Sequence, residues 1–315
     1  MTQSSPITMT TKLIGLVAAT HTPFTPDGSL HLPVVETQAA HLLASGIQTA
    51  FIGGSTGESH SLSLEERLRL AQRWIEVARG TPLQVVVHVG SNCLTDAKTL
   101  AAQAEQLGAR AISALAPSYF KPRSLEALVD CSAAIAAAAP RTPFYFYDIP
   151  VLTGVSFSMP DFLELAHTRI PTLAGLKFTN SDLMAFQLCL HAHGGAFDVP
   201  WGVDEFLLAA LVLGALGGVG SSYNFAGPLY LRLLKAFADG DLLSARREQF
   251  RSVQLIQLLA SYGYMGAAKA VMGLLGVPVG PARLPHGNPT PEQVRELRAK
   301  LEALGFVVAP GKGLG

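Results

Sequence analysis

The residue best placed to do covalent chemistry is Lys177. It lies near the end of a short apolar run, residues 171–180, beside Leu173, Leu176 and Phe178 and the small Ala174 and Gly175. Pro171 bounds the run on one side and Asn180, Ser181 and Asp182 on the other, so it reads as a buried strand. A lysine there either carries its ammonium to the strand end on its alkyl stem or is a desolvated amine able to attack a carbonyl and form a Schiff base. The segment alone leaves both open. The other seven lysines, such as Lys98, Lys235 and Lys300, read as lying in polar or amphipathic stretches.

The groups that could serve such an amine stand at the ends of other runs. Tyr145 and Tyr147 share a face by the period of two, with Tyr147 nearer the strand end; each is a core aromatic or a proton-transfer group. Thr179 shares the face of Lys177. Gly53, Gly54, Ser55, Thr56, Gly57 and Glu58 form a turn whose backbone N–H groups and hydroxyls suit a carboxylate or phosphate, without the Gly-Lys-Ser/Thr of a nucleotide loop. Tyr119 follows Pro117 and Ser118, Ser221 follows Gly220, and Asp204 and Glu205 follow Gly202. Such an acidic pair marks a helix N-terminus or accepts hydrogen bonds from a polyol. His191 and His193 are two apart on a helix end, which is not metal-ligand spacing. An amine, a phenol, hydroxyls and an acidic pair are the minimum for carbonyl chemistry through an imine, and no metal constellation accompanies them.

The elements that must position these residues alternate along the chain. Strands are predicted at 13–19, 49–53, 84–89, 111–115, 143–147, 171–180, 198–202 and 217–221, each followed by a helical pattern. Ser63 and Glu66 form a capping-box signature for the helix that runs to 78. Eight such units predict an α/β (β/α)8 TIM barrel, whose chemistry collects at the C-terminal strand ends; a doubly wound sheet is the alternative, but its nucleotide fingerprint is missing. Helical patterns at 229–237, 242–262, 266–275 and 291–304 exceed what the eighth unit needs. The expected organisation is therefore a barrel over 12–226, a last barrel helix and C-terminal helical extension over 227–308, and flexible tails at 1–11 and 309–315.

Composition narrows the function classes. Charge is balanced, 23 basic against 23 acidic residues, which gives no electrostatic case for nucleic acid or an anionic membrane. Cys93, Cys131 and Cys189 form neither a metal pattern nor a disulfide framework, as suits a reducing cytoplasm. The start lacks an apolar signal core, and the most apolar run, 206–219, is too short to span a bilayer.

At these residues the chain resembles the pyruvate-dependent class I aldolases of the dihydrodipicolinate synthase and N-acetylneuraminate lyase family. The resemblance covers residues 12–304 and rests on Gly54 to Glu58, Tyr147 to Pro150 and Gly175 to Lys177, in that order. Gly202 to Glu205, Gly220 to Asn224 and Gly280 to Pro285 favour its lyase branch. The synthase branch carries an arginine where Leu152 stands, so an aspartate-semialdehyde substrate is disfavoured. Asp148 departs from the family's usual Asn or His, and alternation points it away from the Tyr147 face.

The resemblance implies that Lys177 forms the imine with a 2-oxo acid and that Tyr147 shuttles the proton. It further implies that Ser55 and Thr56 hold the carboxylate, that Thr179, Gly202, Asp204, Glu205 and Ser221 hold the sugar end, and that Tyr119 stands near the catalytic tyrosine. The implied reaction is reversible cleavage of N-acetylneuraminate to pyruvate and N-acetylmannosamine, without cofactor or metal, in a homotetramer. A different 2-oxo-3-deoxy sugar acid is the alternative substrate.

Overall fold

A computed structural model describes residues 12–311 and 313–315; the tail predicted at 1–11 lies outside the described residues. In chain order the regular elements are β1 (Gly15–Ala19), α1 (Val34–Ala44), β2 (Thr49–Ile52), α2 (Leu64–Ala78), β3 (Gln84–His88), α3 (Leu94–Leu107), β4 (Ala111–Leu115), α4 (Leu125–Ala136), β5 (Phe144–Asp148), α5 (Pro150–Thr153), α6 (Met159–His167), β6 (Leu173–Phe178), α7 (Leu183–His191), α8 (Leu207–Leu213), β7 (Gly217–Gly220), α9 (Tyr223–Ala238), α10 (Leu242–Ala260), α11 (Tyr264–Leu274) and α12 (Pro291–Ala303). The seven strands are neighbours in the order β6-β5-β4-β3-β2-β1-β7.

The strand predicted at 198–202 is not a regular strand, and Pro200 is the reason. Asp198 N–H donates to Ala174 O, and Asp198 O and Pro200 O accept from Leu176 and Phe178. Gly202 N–H donates to Phe178 O at 2.7 Å. The proline has no N–H to give between them, so the ladder survives only as bridges. On its other side Trp201 bridges to Gly218. The segment thus joins β6 to β7 by bridges, and the strand–helix order is that of a (β/α)8 barrel with its seventh strand interrupted.

Contacts divide the chain into two compact units. One holds Val86–Val203, Ala209–Val219 and the segment ending at Gly15; the other holds Leu16–Val85, Asp204–Leu208 and Gly220–Gly315. In the first, β5 and β6 pair in parallel with a register shift: Phe144 faces Leu173, but Tyr145 faces Gly175 and Tyr147 faces Lys177. The extra residue, Ala174, is a bulge. Beside it Gly175 is required, because a Cβ there would fall 1.7 Å from Asp198 O. Below Tyr147, the Tyr145 hydroxyl and Leu13 N–H both donate to Asp198 Oδ2, at 2.8 and 2.6 Å. The opposite face of β6 is aromatic: the Phe178 ring stacks on Trp201 at 6.0 Å and Phe186 of α7 meets Trp201 edge-on at 4.9 Å.

In the second unit Ser63 and Glu66 form the predicted capping box of α2. Helix α9 starts at Tyr223, earlier than predicted, and kinks at Ala226 ahead of Pro228. Fraying was expected after residue 308, yet Leu314 is fully buried and its N–H donates to Phe225 O at 2.6 Å. No helix of the described residues is long and apolar enough to cross a membrane.

Asp148 shares the face of its register partner Phe178, away from Tyr147 as alternation requires. It accepts from Asn180 Nδ2 at 3.3 Å and is buried. Burial pushes its carboxyl up to about 6, with the Asn180 bond pulling down. A raised acid pKa means the folded chain binds the extra proton between about pH 4 and pH 6, so this group's cost grows as pH rises through that window and is complete above it. Asp148→Asn removes the cost. In urea denaturation its stability gain over wild type should be larger at pH 7.5 than at pH 4.5, by about 2 kcal/mol; an equal gain at both values would count against the assignment.

Candidate active site

In the first unit the β5–β6 register sets the Lys177 amine against Tyr147. Lys177 is 4% exposed and Tyr147 3%, and Lys177 Nζ stands 3.9 Å from the centroid of the Tyr147 ring. An ammonium over a phenol face is attracted by the ring quadrupole, which holds the amine in one place when it is charged. His88, the last residue of β3, meets the same ring edge-on at 5.9 Å. Two residues beyond Lys177, the Thr179 hydroxyl is buried with no hydrogen-bond partner among the described residues. A Cβ on Gly202 would lie 1.9 Å from that oxygen, so a glycine is what lets the hydroxyl occupy its position. A buried hydroxyl without a partner is costly unless something arrives to bond it.

Tyr119 is not part of this group. It is 78% exposed on the loop after β4, its ring against Phe120 at 5.0 Å. Asn92 Oδ1 fixes the loop by accepting from Ser118 and Tyr119 N–H at 2.8 and 3.1 Å.

In the second unit the turn after β2 carries Ser55 and Thr56, both half-buried. Glu58 N–H donates to Ser55 O at 3.0 Å and Ser59 N–H to Gly54 O at 3.2 Å. Beneath it, Thr22 Oγ1 donates to Gly57 O at 2.6 Å. His21 is wholly buried, and burial with the nearby Lys269 charge draws its ring down to about 3, so it stays neutral. Glu58 ends the turn with φ +55. Its Oε1 meets Lys269 Nζ at 2.8 Å with both side chains 0% exposed, and its Oε2 accepts from Arg283 N–H at 2.7 Å. Burial draws the Lys269 ammonium below its ordinary value and the Glu58 charge offsets part of that. Breaking such a pair from one side leaves a bare buried charge, at about 3–5 kcal/mol.

The acidic pair divides in two. Asp204 is buried, and its Oδ2 accepts from Ser222 N–H at 2.9 Å and from the Ser222 hydroxyl. A Cβ on Gly220 would strike its Oδ1 at 2.0 Å. Glu205 is half-buried. Ser221 Oγ and the Tyr264 hydroxyl of α11 are hydrogen-bonded at 2.7 Å.

Three neighbours of these residues were not singled out from the sequence: His88, Lys269 and Tyr264. His88 carried the signal that marked Lys177, a polar side chain inside an apolar strand. Lys269 corrects the reading that every other lysine lies in a polar or amphipathic stretch, since it is 1% exposed in a helix of Ala, Gly, Met and Val. Among the described residues no group of three or more His, Cys, Asp or Glu could hold a metal ion.

Known proteins resemble this chain over nearly its whole length. The chain is 41% identical over 304 residues to the N-acetylneuraminate lyase of Rattus norvegicus, covering 95% of each chain. The structure of the Proteus mirabilis N-acetylneuraminate lyase superposes with a TM-score of 0.91 at 41% identity, over 94% of this chain and 100% of that one. A catalytic lysine mutant of the Ruminococcus gnavus sialic acid aldolase gives a TM-score of 0.89 at 26% identity, over 95% and 97%. Residues 12–304 match the model of the dihydrodipicolinate synthetase family. The chain belongs to that family.

Proposed function

We propose that this chain is a class I aldolase, a carbon–carbon lyase that reversibly cleaves N-acetylneuraminate to pyruvate and N-acetylmannosamine through an imine. The carrying observation is the Lys177 amine 3.9 Å from the Tyr147 ring centre, on facing residues of paired strands. The likeness to N-acetylneuraminate lyases over nearly the whole chain supports the substrate.

The chemistry follows from these groups. Lys177 Nζ adds to the C2 ketone of the open-chain sugar acid and water leaves, giving a protonated imine. Tyr147 shuttles the proton off the C4 hydroxyl while the C3–C4 electron pair flows into the imine, which becomes an enamine as N-acetylmannosamine departs. Protonation at C3 and hydrolysis then release pyruvate and the free amine. The imine is the electron sink, so the step calls on no metal. Ser55 and Thr56 hold the carboxylate. Thr179, Gly202, Glu205 and Ser221 face the sugar hydroxyls, with the Thr179 hydroxyl, which has no partner among the described residues, as one donor for them. The bond from Asp204 to Ser222 suits it to shaping that end rather than to reading the sugar alone. Tyr119 enters on the family resemblance only, its side chain being exposed.

Residues 12–226 form the catalytic barrel in this reading and 227–308 its extension. Free thiols at Cys93, Cys131 and Cys189 suit a cytoplasmic protein. The family resemblance, with exposed Tyr119 and Phe120, supports a homotetramer; light scattering should return four times the chain mass, and a monomer mass would refute the assembly.

Borohydride with pyruvate should fix an adduct on Lys177, and Lys177→Ala should abolish both adduct and turnover. Tyr147→Phe keeps the ring and should lower kcat about a hundredfold or more. An adduct on another lysine, or near-normal kcat in the phenylalanine variant, would overturn these assignments. EDTA should leave the rate unchanged, and a loss restored by added metal would remove the imine as sole electron sink.

Substrate choice is read separately. Glu205→Gln should reduce kcat/KM for N-acetylneuraminate about tenfold to a hundredfold and leave pyruvate trapping intact. Wild-type kcat/KM should be higher for N-acetylneuraminate than for 2-keto-3-deoxygluconate or for aspartate semialdehyde with pyruvate. A higher value for either rival ends the sialic acid reading but not the aldolase one.

A further inference from the structure

We propose that the buried Glu58–Lys269 pair is a positioning device, through which helix α11 of the C-terminal extension holds the 53–57 turn in the shape that receives the carboxylate of a 2-oxo acid. This rests on the reading of Ser55 and Thr56 as the carboxylate grip.

Glu58 sits at φ +55, where glycine is the least costly residue. A glutamate holds that place while both its carboxylate oxygens are engaged, Oε1 by Lys269 Nζ at 2.8 Å and Oε2 by Arg283 N–H at 2.7 Å. The same ammonium donates to Thr22 O at 2.9 Å, and the Thr22 hydroxyl donates to Gly57 O at 2.6 Å. One charge therefore braces the turn from its exit and from beneath. The far end is fixed as well: the Arg283 guanidinium donates to Gly28 O and Ser61 O at 2.7 and 2.8 Å and pairs with Glu66. Backbone N–H bonds to a carboxylate weaken steeply as they lose alignment, and the dihedrals of this turn set the N–H directions. Losing the brace should degrade carboxylate binding and spare the amine and the phenol.

The test is borohydride trapping over a range of pyruvate concentrations. It compares wild type, Lys269→Met, the double variant Glu58→Gln/Lys269→Met, and Thr56→Ala. The double variant leaves neither charge unpaired, so it should fold where the single change does not; circular dichroism and melting curves check this. Half-saturating pyruvate should rise about tenfold in the double variant while the saturated trapping rate stays within about threefold. Pyruvamide, which keeps the ketone and lacks the carboxylate, should be trapped equally by wild type and double variant. Equal losses for pyruvate and pyruvamide mean general damage and overturn the proposal. Unchanged half-saturation in the folded double variant, with Thr56→Ala raising it, overturns the proposal and leaves the carboxylate grip standing. No rise in either variant overturns both.

Discussion

A single inserted residue in β6 decides whether this chain has a paired amine and phenol at all. Phe144 faces Leu173, and an unbroken ladder would set Tyr147 opposite Leu176. Lys177 would then point to the other face, toward Phe186 and Trp201, because a one-residue slip in a strand exchanges its faces. The bulge at Ala174 moves Gly175 opposite Tyr145 and brings Lys177 onto the tyrosine face. What holds the bulge is close packing: the Gly175 backbone lies where a side chain would collide with Asp198 O, and Asp198 is itself tied to Leu13 and Tyr145. The buried Asp198 carboxylate has its pKa raised by burial and opposed by those two donors. An interior acid is thus tolerated where it locks the register of the strand that carries Lys177.

The second unit uses buried charge in a related way. Lys177 and Lys269 are comparably buried, 4% and 1% exposed, yet their surroundings differ in kind. Lys269 is spent on Glu58 and a backbone carbonyl, an arrangement that makes an amine a strut. Lys177 has an aromatic face beside it. Burial alone does not separate the two lysines, whose amines face an aromatic ring in one case and a carboxylate in the other.

This bears on what could be read from sequence. The alternation of strands and helices, the Ser63–Glu66 cap and the apolar setting of Lys177 are local patterns, and each was visible. The bulge was not, since a period-two pattern looks the same on either side of an inserted residue and nothing in Leu173, Ala174 and Gly175 says which is extra. Pro200 was visible, but its effect depends on which neighbour needed the missing N–H. Lys269 was misjudged because small apolar helix positions give no hint of a carboxylate 211 positions earlier in the chain. Leu314 was set aside as tail because its partner, Phe225, is also distant in the sequence.

The two faces of β6 give the protein an optical property. The sequence holds two tryptophans, Trp74 and Trp201, and both are fully buried. Trp201 packs against Phe178, the neighbour of Lys177, and its indole N–H donates to Val203 O at 2.6 Å, spanning Gly202. Its emission is therefore sensitive to the backbone that bounds the Thr179 hydroxyl. With Trp74 replaced by phenylalanine, the remaining indole would serve as an intrinsic fluorophore for rapid-mixing experiments, needing neither a dye nor a coupled enzyme.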